Sequence, residues 1–108
     1  MEIKDWQKTV DDWISQFEEG YWHPTSMMLR LTEEVGELAR EVNHKYGQKP
    51  KKPTEPEGNL ALEMADIIFI IVCMANSLQI DLEQAFNDTM NKYRLRDSDR
   101  WTKKRDLT

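Results

Sequence analysis

The feature that most constrains this fold is an apolar run at residues 64–75, in a chain of 108 residues. Asp66 is the only charged side chain in the run. A helix that is apolar on nearly every side lies in a protein core or in a subunit interface. One small helical unit leaves part of such a surface exposed, so the run predicts that the protein self-associates.

We do not expect the run to cross a membrane, because twelve residues fall well short of the ~20 that span a bilayer. Residues 1–10 carry four charged side chains, which is unlike a signal peptide. Cys73 is the only cysteine and cannot form an internal disulfide, which is typical of a reducing compartment. The sequence therefore predicts a soluble, cytoplasmic protein.

Helical spacing of apolar residues predicts an all-α fold with four helices and no internal domain boundary. The predicted spans are 3–19, 26–45, 59–78 and a last helix that starts at Asp81. Gly20 and Gly47 end the first two helices, and Asp81 with Gln84 forms a capping box. Residues 47–58 form the one long loop, which is a lid, an intersubunit contact or a simple crossover. We predict a single domain over residues 1–108.

The charge is unevenly distributed along the chain. The net charge is −5, but residues 1–88 hold 8 Lys and Arg against 17 Asp and Glu, whereas residues 89–108 hold 7 against 3. An acidic body disfavours a binder of duplex DNA or RNA, which needs a broad basic face. It suits a protein that recruits cations. Residues 96–108 form a basic C-terminal tail, which we expect to be solvated and partly disordered.

Acidic side chains are concentrated on the second and third predicted helices. At about 100° per residue, Glu34, Glu37 and Glu41 fall within about 60° of one another. Glu63 and Asp66 lie one turn apart, and Asp66 precedes six apolar residues. A carboxylate in such surroundings is expected to be paired, hydrogen-bonded or bound to metal. If the two helices pack antiparallel, the acids converge, and Mg²⁺ or Mn²⁺ suits an all-oxygen ligand set.

Two interpretations of these acids remain open on physical grounds alone. A glutamate-rich helical face is often only solvated, with Arg30 and Arg40 relieving the repulsion. The acids can also form a structural metal site in a non-catalytic oligomerisation module.

The acidic pattern resembles the signature of the MazG-like nucleotide pyrophosphohydrolases. The matching residues are Glu33-Glu34-Val35-Gly36-Glu37, a gap of twenty-five residues, and then Glu63-Met64-Ala65-Asp66. The resemblance covers roughly residues 25–95 and includes Asn91-Lys92 and Arg94 on the last helix. It implies a four-helix bundle that assembles as a dimer or a dimer of dimers.

The resemblance also implies a reaction and a set of site residues. The reaction is Mg²⁺-dependent hydrolysis of a (deoxy)nucleoside triphosphate to the monophosphate and pyrophosphate, as in nucleotide-pool housecleaning. A related activity on dUTP or a phosphoribosyl nucleotide is the alternative. The implied metal ligands are Glu34, Glu37, Glu63 and Asp66, with Glu33 as an outer acid that is either a further ligand or the group that orients the attacking water. The implied substrate-binding residues are Asn91, Lys92 and Arg94 near the phosphates, and Trp6 and Trp22 against the base.

Overall fold

The computed structural model describes residues 1–47, 51–54 and 58–104. These residues form four α-helices and no β-strand, which confirms the all-α prediction. The helices are α1 (Ile3–Ile14), α2 (Pro24–Tyr46), α3 (Leu60–Ser77) and α4 (Leu82–Asp97).

Polar side chains begin the last two helices, and of these the sequence predicted Asp81. The Asn59 side chain accepts a hydrogen bond from the backbone N–H of Leu62 at 3.1 Å, which begins α3. Asp81 accepts one from the N–H of Gln84 at 3.0 Å, which begins α4. The Gln84 side chain donates to Asp88 at 2.9 Å, so only the Asp81 half of the predicted capping box is seen.

The first helix is shorter than predicted, because it ends at Ile14 and not near residue 19. Residues 15–19 form turns, and Gly20 has φ +62°, a conformation that favours glycine. This reversal lets the Tyr21 hydroxyl donate to Asp11 at 2.7 Å. Ten residues of continuous helix would hold those positions about 15 Å apart along the axis. The early helix end thus brings the aromatic connector back against α1.

The core lies where α2 and α3 pack together and α1 crosses α3. Met27, Ile70 and Cys73 are its buried centre. The half-buried residues packed around that centre are Val10, Ile14, Tyr21, Leu31 and Met74. On α2 the fully buried residues are Met27 and Glu34. Other apolar residues at helical spacing on α2 are not buried in the core, because Met28, Val35 and Val42 are exposed.

A single chain leaves much apolar surface open. Its radius of gyration is 18.3 Å, whereas a compact chain of this length has about 13 Å. On α3, five large apolar side chains are between 38% and 62% exposed: Leu62, Met64, Ile68, Phe69 and Ile71. By length and composition alone, α3 could cross a membrane, and 22% of it is buried within the chain. It also carries Glu63 and Asp66 and packs on α1 and α2.

The predicted long loop and basic tail are described only in part. Residues 48–50 and 55–57 of the loop, and residues 105–108 of the tail, lie outside the described residues. Arg96 and Asp97, which we assigned to the tail, belong to α4. Arg96 forms an ion pair with Asp97 at 3.0 Å.

Candidate metal centre

Three of the predicted ligands converge between α2 and α3. Glu34, Glu37 and Glu63 each place a carboxylate oxygen within 4.8 Å of the other two. The three differ in exposure, since Glu34 is buried, Glu63 is half-buried and Glu37 is exposed. A cluster with one buried wall and one open side can hold a cation and admit a ligand to it.

The buried end of this cluster has unused hydrogen-bonding capacity. Glu34 is only 3% exposed. Its Oε2 atom and the Oε2 atom of Glu63 are buried and have no hydrogen-bond partner among the described residues. Burial, the largest effect, raises the pKa of Glu34, and the nearby Glu37, Asp66 and Glu63 raise it further, against the opposing effect of Arg30. These orphaned oxygens fit a bound divalent cation, because metal coordination satisfies carboxylate oxygens and offsets their charge.

Arg30 contacts two acids of α2, Glu33 and Glu34. Its Nη2 lies 2.8 Å from Oε1 of Glu34, and its Nη1 lies 3.4 Å from Oε2 of Glu33. The Arg30 side chain is 51% exposed. The guanidinium therefore lies at the mouth of the site and occupies one of the two Glu34 oxygens.

Asp66 is placed differently from our expectation. The apolar run around it predicts a buried charge, but Asp66 is exposed. The expectation is wrong because Asp66 lies at the exposed end of a cavity whose lining on α3 continues to the core residues Ile70 and Cys73. Asp66 lines that cavity together with Glu34, close enough for its charge to raise the pKa of Glu34. It lies beside the three-carboxylate cluster and outside it.

Glu33 and Glu41 also stand apart from the three clustered acids. The Glu33 side chain is 65% exposed, and Arg30 is its ion-pair partner. Both carboxylate oxygens of Glu41 accept hydrogen bonds from Nζ of Lys51 at 3.0 Å. A Cβ atom on Gly58 would overlap the Glu41 carboxylate, so glycine permits the close approach of the chain there. Glu41 thus ties the loop to α2, although its helical position predicts a place beside Glu37.

A cavity of about 440 Å³ opens next to the acids. Arg30, Glu34 and Asp66 line its polar end. The aromatic side chains that line it are Trp13, Tyr21, Trp22 and Phe69. The cavity therefore joins a carboxylate site to flat apolar surfaces, which suits a ligand with a charged end and an aromatic end.

Of the four aromatic residues that line the cavity, the sequence predicted only one. Trp22 lines the cavity as expected, whereas Trp6 lies half-buried on α1 and is not among the lining residues. Trp13 and Tyr21 were missed. Their place follows from the early end of α1 and the left-handed Gly20, a reversal that helical periodicity does not reveal. The aromatic pair Tyr21-Trp22 directly after a glycine is the signal that could have indicated it.

The predicted phosphate-binding residues do not reach the cavity within one chain. Asn91, Lys92 and Arg94 are exposed on α4, which packs mainly against α1. Arg94 donates to Asn91 at 3.0 Å, and Lys92 lies over the Tyr93 ring at 5.6 Å. Among the described residues that line the cavity, Arg30 is the only cation.

A hydrogen-bond network holds the aromatic wall in place. The Asn76 amide donates to the Tyr21 hydroxyl at 3.0 Å and to the Gln7 carbonyl at 2.9 Å. The Gln7 side chain donates to Oδ1 of Asn76 and accepts from the N–H of Leu82, each at 3.0 Å. Burial and the Asp11 carboxylate raise the pKa of Tyr21 to about 12, so it stays protonated at neutral pH. The network joins α1, the connector, α3 and the start of α4.

Cys73 borders the same cavity from α3. It is a free cysteine, and burial raises the pKa of its thiol to about 11. A thiol that stays protonated at neutral pH is a poor nucleophile. Cys73 therefore contributes packing to the site and no nucleophilic chemistry.

An all-α fold with clustered carboxylates beside an aromatic cavity suits a helical enzyme that acts on a charged, ring-bearing substrate. The chain matches the model of the MazG nucleotide pyrophosphohydrolase domain over residues 23–101, and it belongs to that family. It is therefore a hydrolase of the nucleotide pyrophosphohydrolase type.

Relatives of known sequence and structure support this assignment. The chain is 57% identical over 102 residues to the YpjD protein of Bacillus subtilis strain 168, covering 94% of this chain and 92% of that protein. The crystal structure of Bacillus subtilis YPJD aligns with TM-score 0.77 and 55% identity over 86% of this chain and 95% of that one. A Bacillus-conserved MazG protein, a nucleotide pyrophosphohydrolase, aligns with TM-score 0.76 and 52% identity over 92% and 96%.

Proposed function

We propose that this protein hydrolyses a (deoxy)nucleoside triphosphate to the monophosphate and pyrophosphate in a Mg²⁺-dependent reaction. The observation that carries the proposal is the cluster of Glu34, Glu37 and Glu63, with two buried oxygens that lack a hydrogen-bond partner among the described residues. The aromatic cavity beside the cluster supplies a place for the base. This activity suits housecleaning of the nucleotide pool.

The carboxylates suit Mg²⁺, and Mn²⁺ is a possible substitute, because both prefer oxygen ligands. Glu34, Glu37 and Glu63 would hold the ion, with Asp66 at the mouth as a fourth ligand. When bound, Mg²⁺ offsets the charge of the triphosphate and lowers the pKa of a coordinated water.

The protein's own residues would orient the substrate and accept the proton. Trp22 and Trp13 would stack on the base, and the anchored Tyr21 would keep that wall rigid. A water attacks the α-phosphorus, and the bond to the pyrophosphate oxygen breaks. Glu33 is exposed beside Glu34, and we assign it the role of accepting the proton of that water.

Self-association would complete this enzyme. The exposed apolar side chains of α3 are numerous for a single chain, and a second copy covering them would remove them from water. It would also give Asn91, Lys92 and Arg94 of one subunit a route to the phosphates bound by another. We propose a dimer or a dimer of dimers. The free Cys73 thiol suits the reducing cytoplasm.

The test is release of pyrophosphate from a panel of nucleoside triphosphates, dUTP and a phosphoribosyl nucleotide, with and without Mg²⁺. Glu37→Gln and Glu41→Gln form a matched pair, because both lie on α2 one turn apart and only Glu37 belongs to the cluster. Glu37→Gln is expected to lower activity by at least ~10–100-fold, the loss that follows when a residue supporting a metal ligand is mutated. Glu41→Gln is expected to retain activity.

Several outcomes contradict the proposal. Asp66→Asn at wild-type activity removes Asp66 from the ligand set. Equal activity of the Glu37→Gln and wild-type proteins removes the metal mechanism altogether. Mg²⁺ binding without hydrolysis of any panel member leaves a non-catalytic module with a structural metal site.

A further inference from the structure

Arg30 has a position that the proposed reaction does not yet explain. Its guanidinium contacts Glu34 at 2.8 Å and Glu33 at 3.4 Å, one nitrogen to each acid. It also lines the cavity beside Glu34 and Asp66. Arg30 therefore occupies, in the free protein, an oxygen of the same carboxylate that the proposed cation needs.

The contact between Arg30 and Glu34 can be given up where another cation balances Glu34, because Glu34 is only 3% exposed and a buried charge without a partner is costly. Arg30 itself is half-exposed, so water solvates its guanidinium when it leaves Glu34. Each carboxylate receives only one guanidinium nitrogen, so Arg30 forms no bidentate pair, the geometry in which arginine binds a carboxylate most strongly. Arg30 is held at the mouth of the site by contacts that a stronger ligand can replace.

The charges of the site change when substrate arrives. A divalent ion on Glu34, Glu37 and Glu63 would offset their charge and repel the nearby guanidinium. A triphosphate would bring several anionic oxygens to the same end of the cavity. Phosphate oxygens match the planar donor fork of arginine, and Arg30 is the only cation among the described residues that line the cavity.

We propose that Arg30 is a substrate-binding residue that rests on Glu33 and Glu34 in the free enzyme and moves to the triphosphate when the site fills. This inference rests on the proposed function and adds a residue to it. Arg30 competes with the metal while nucleotide is absent and recognises phosphate when it is present. If Arg30 only oriented Glu34, it would instead strengthen both metal binding and phosphate binding.

The experiment measures the two kinds of binding separately with the intact protein. Mn²⁺ binding without nucleotide is followed by electron paramagnetic resonance. Binding of inorganic tripolyphosphate in the presence of Mg²⁺ is followed by calorimetry. In Arg30→Met, Mn²⁺ is expected to bind about two- to fivefold more tightly, because a screened ion pair no longer competes. Tripolyphosphate is expected to bind about 10–100-fold more weakly, because a charged hydrogen-bond donor is lost.

Two further variants separate this role from general effects of charge and fold. Arg30→Lys keeps the positive charge, so it is expected to keep wild-type Mn²⁺ affinity and to recover only part of the tripolyphosphate binding. Lys45→Met removes the same charge from the far end of α2, about 16 Å along the helix axis from Glu34, and is expected to change neither. Helicity by circular dichroism checks that each variant is folded.

The outcomes distinguish this inference from the proposed function. Weaker binding of both Mn²⁺ and tripolyphosphate in folded Arg30→Met, or unchanged binding of tripolyphosphate, overturns the role of Arg30 and leaves the proposed function standing. A wild-type protein that binds Mn²⁺ neither alone nor together with tripolyphosphate overturns the proposed function itself. Opposite changes in the two affinities, with partial rescue by Arg30→Lys, support the inference.

Discussion

Replacing Glu34 by glutamine should stabilise the metal-free protein and remove its response to Mg²⁺. Two unit charges 4.8 Å apart repel by about 3.5 kcal/mol at an effective dielectric constant of 20. Glu34 faces two such neighbours, Glu37 and Glu63, and Arg30 offsets only part of this repulsion. Loss of the half-exposed Arg30 pair costs up to about 1 kcal/mol. Glu37 is exposed and Glu63 is half-buried, so water and salt screen most of this repulsion. We therefore expect Glu34→Gln to raise the free energy of unfolding by about 1–2 kcal/mol without metal.

Thermal unfolding at fixed protein concentration provides the assay. For a domain of this size, 1 kcal/mol corresponds to about 4 °C, so Glu34→Gln should melt about 4–8 °C above wild type in a chelator. Mg²⁺ at one hundred times its dissociation constant should add about 2.7 kcal/mol to the wild-type protein, or about 10 °C. The variant should gain little. A variant that melts below wild type in chelator and still responds to Mg²⁺ refutes the reasoning.

The difference in melting temperature between the metal-free wild-type protein and Glu34→Gln should depend on pH. Burial raises the pKa of Glu34 above its value in the unfolded chain, so the folded protein binds more protons between the two pKa values. The metal-free wild-type protein therefore loses stability as the pH rises through this window, whereas Glu34→Gln does not lose this contribution. The gap in melting temperature should close as the pH falls toward the unfolded pKa, about 4.3. A gap that stays constant from pH 7 to 4.5 assigns the effect to something other than the Glu34 charge.

Three other substitutions test the cavity, the network and the interface. Trp22→Ala should raise KM about 5–100-fold with little change in kcat, because an aromatic stack on a base contributes about 1–3 kcal/mol. Trp101→Ala, at an exposed site outside the cavity lining, should leave KM unchanged, and equal KM values for the two variants contradict base stacking. Asn76→Ala should lower the free energy of unfolding by about 1–3 kcal/mol, measured by denaturant titration, because it leaves the Gln7 carbonyl and the Tyr21 hydroxyl without their donor. An unchanged unfolding midpoint shows that the network does not stabilise the fold. Ile68→Glu should dissociate the oligomer to particles near the 12.9 kDa monomer mass by light scattering, because it places a charge in the proposed interface on the exposed apolar side of α3. An oligomer of unchanged mass shows that Ile68 is not in the interface.

The sequence by itself determined that the chain forms four helices and where the acids lie along them, but not where α1 ends. Apolar spacing and the Asp81 cap act within a few residues, and local signals of this kind can be read without knowing the fold. The pairs Glu34/Glu37 and Glu63/Asp66 are likewise set by helical geometry, one turn apart on each helix. These local relations were enough to predict an all-α protein with facing carboxylates.

Only the tertiary structure decided which acids share a site. Glu41 lies in the same helical arc as Glu37, yet Lys51 from the loop neutralises it. Asp66 stands in an apolar run, yet it borders an open cavity. Arg30 pairs with Glu34 one turn away on the same helix, a pairing that helical spacing allows, but only tertiary packing places that pair at the cavity. The outcomes for Glu41 and Asp66 depend on how α2, α3 and the loop pack, where small differences in packing and desolvation free energy select one partner among several.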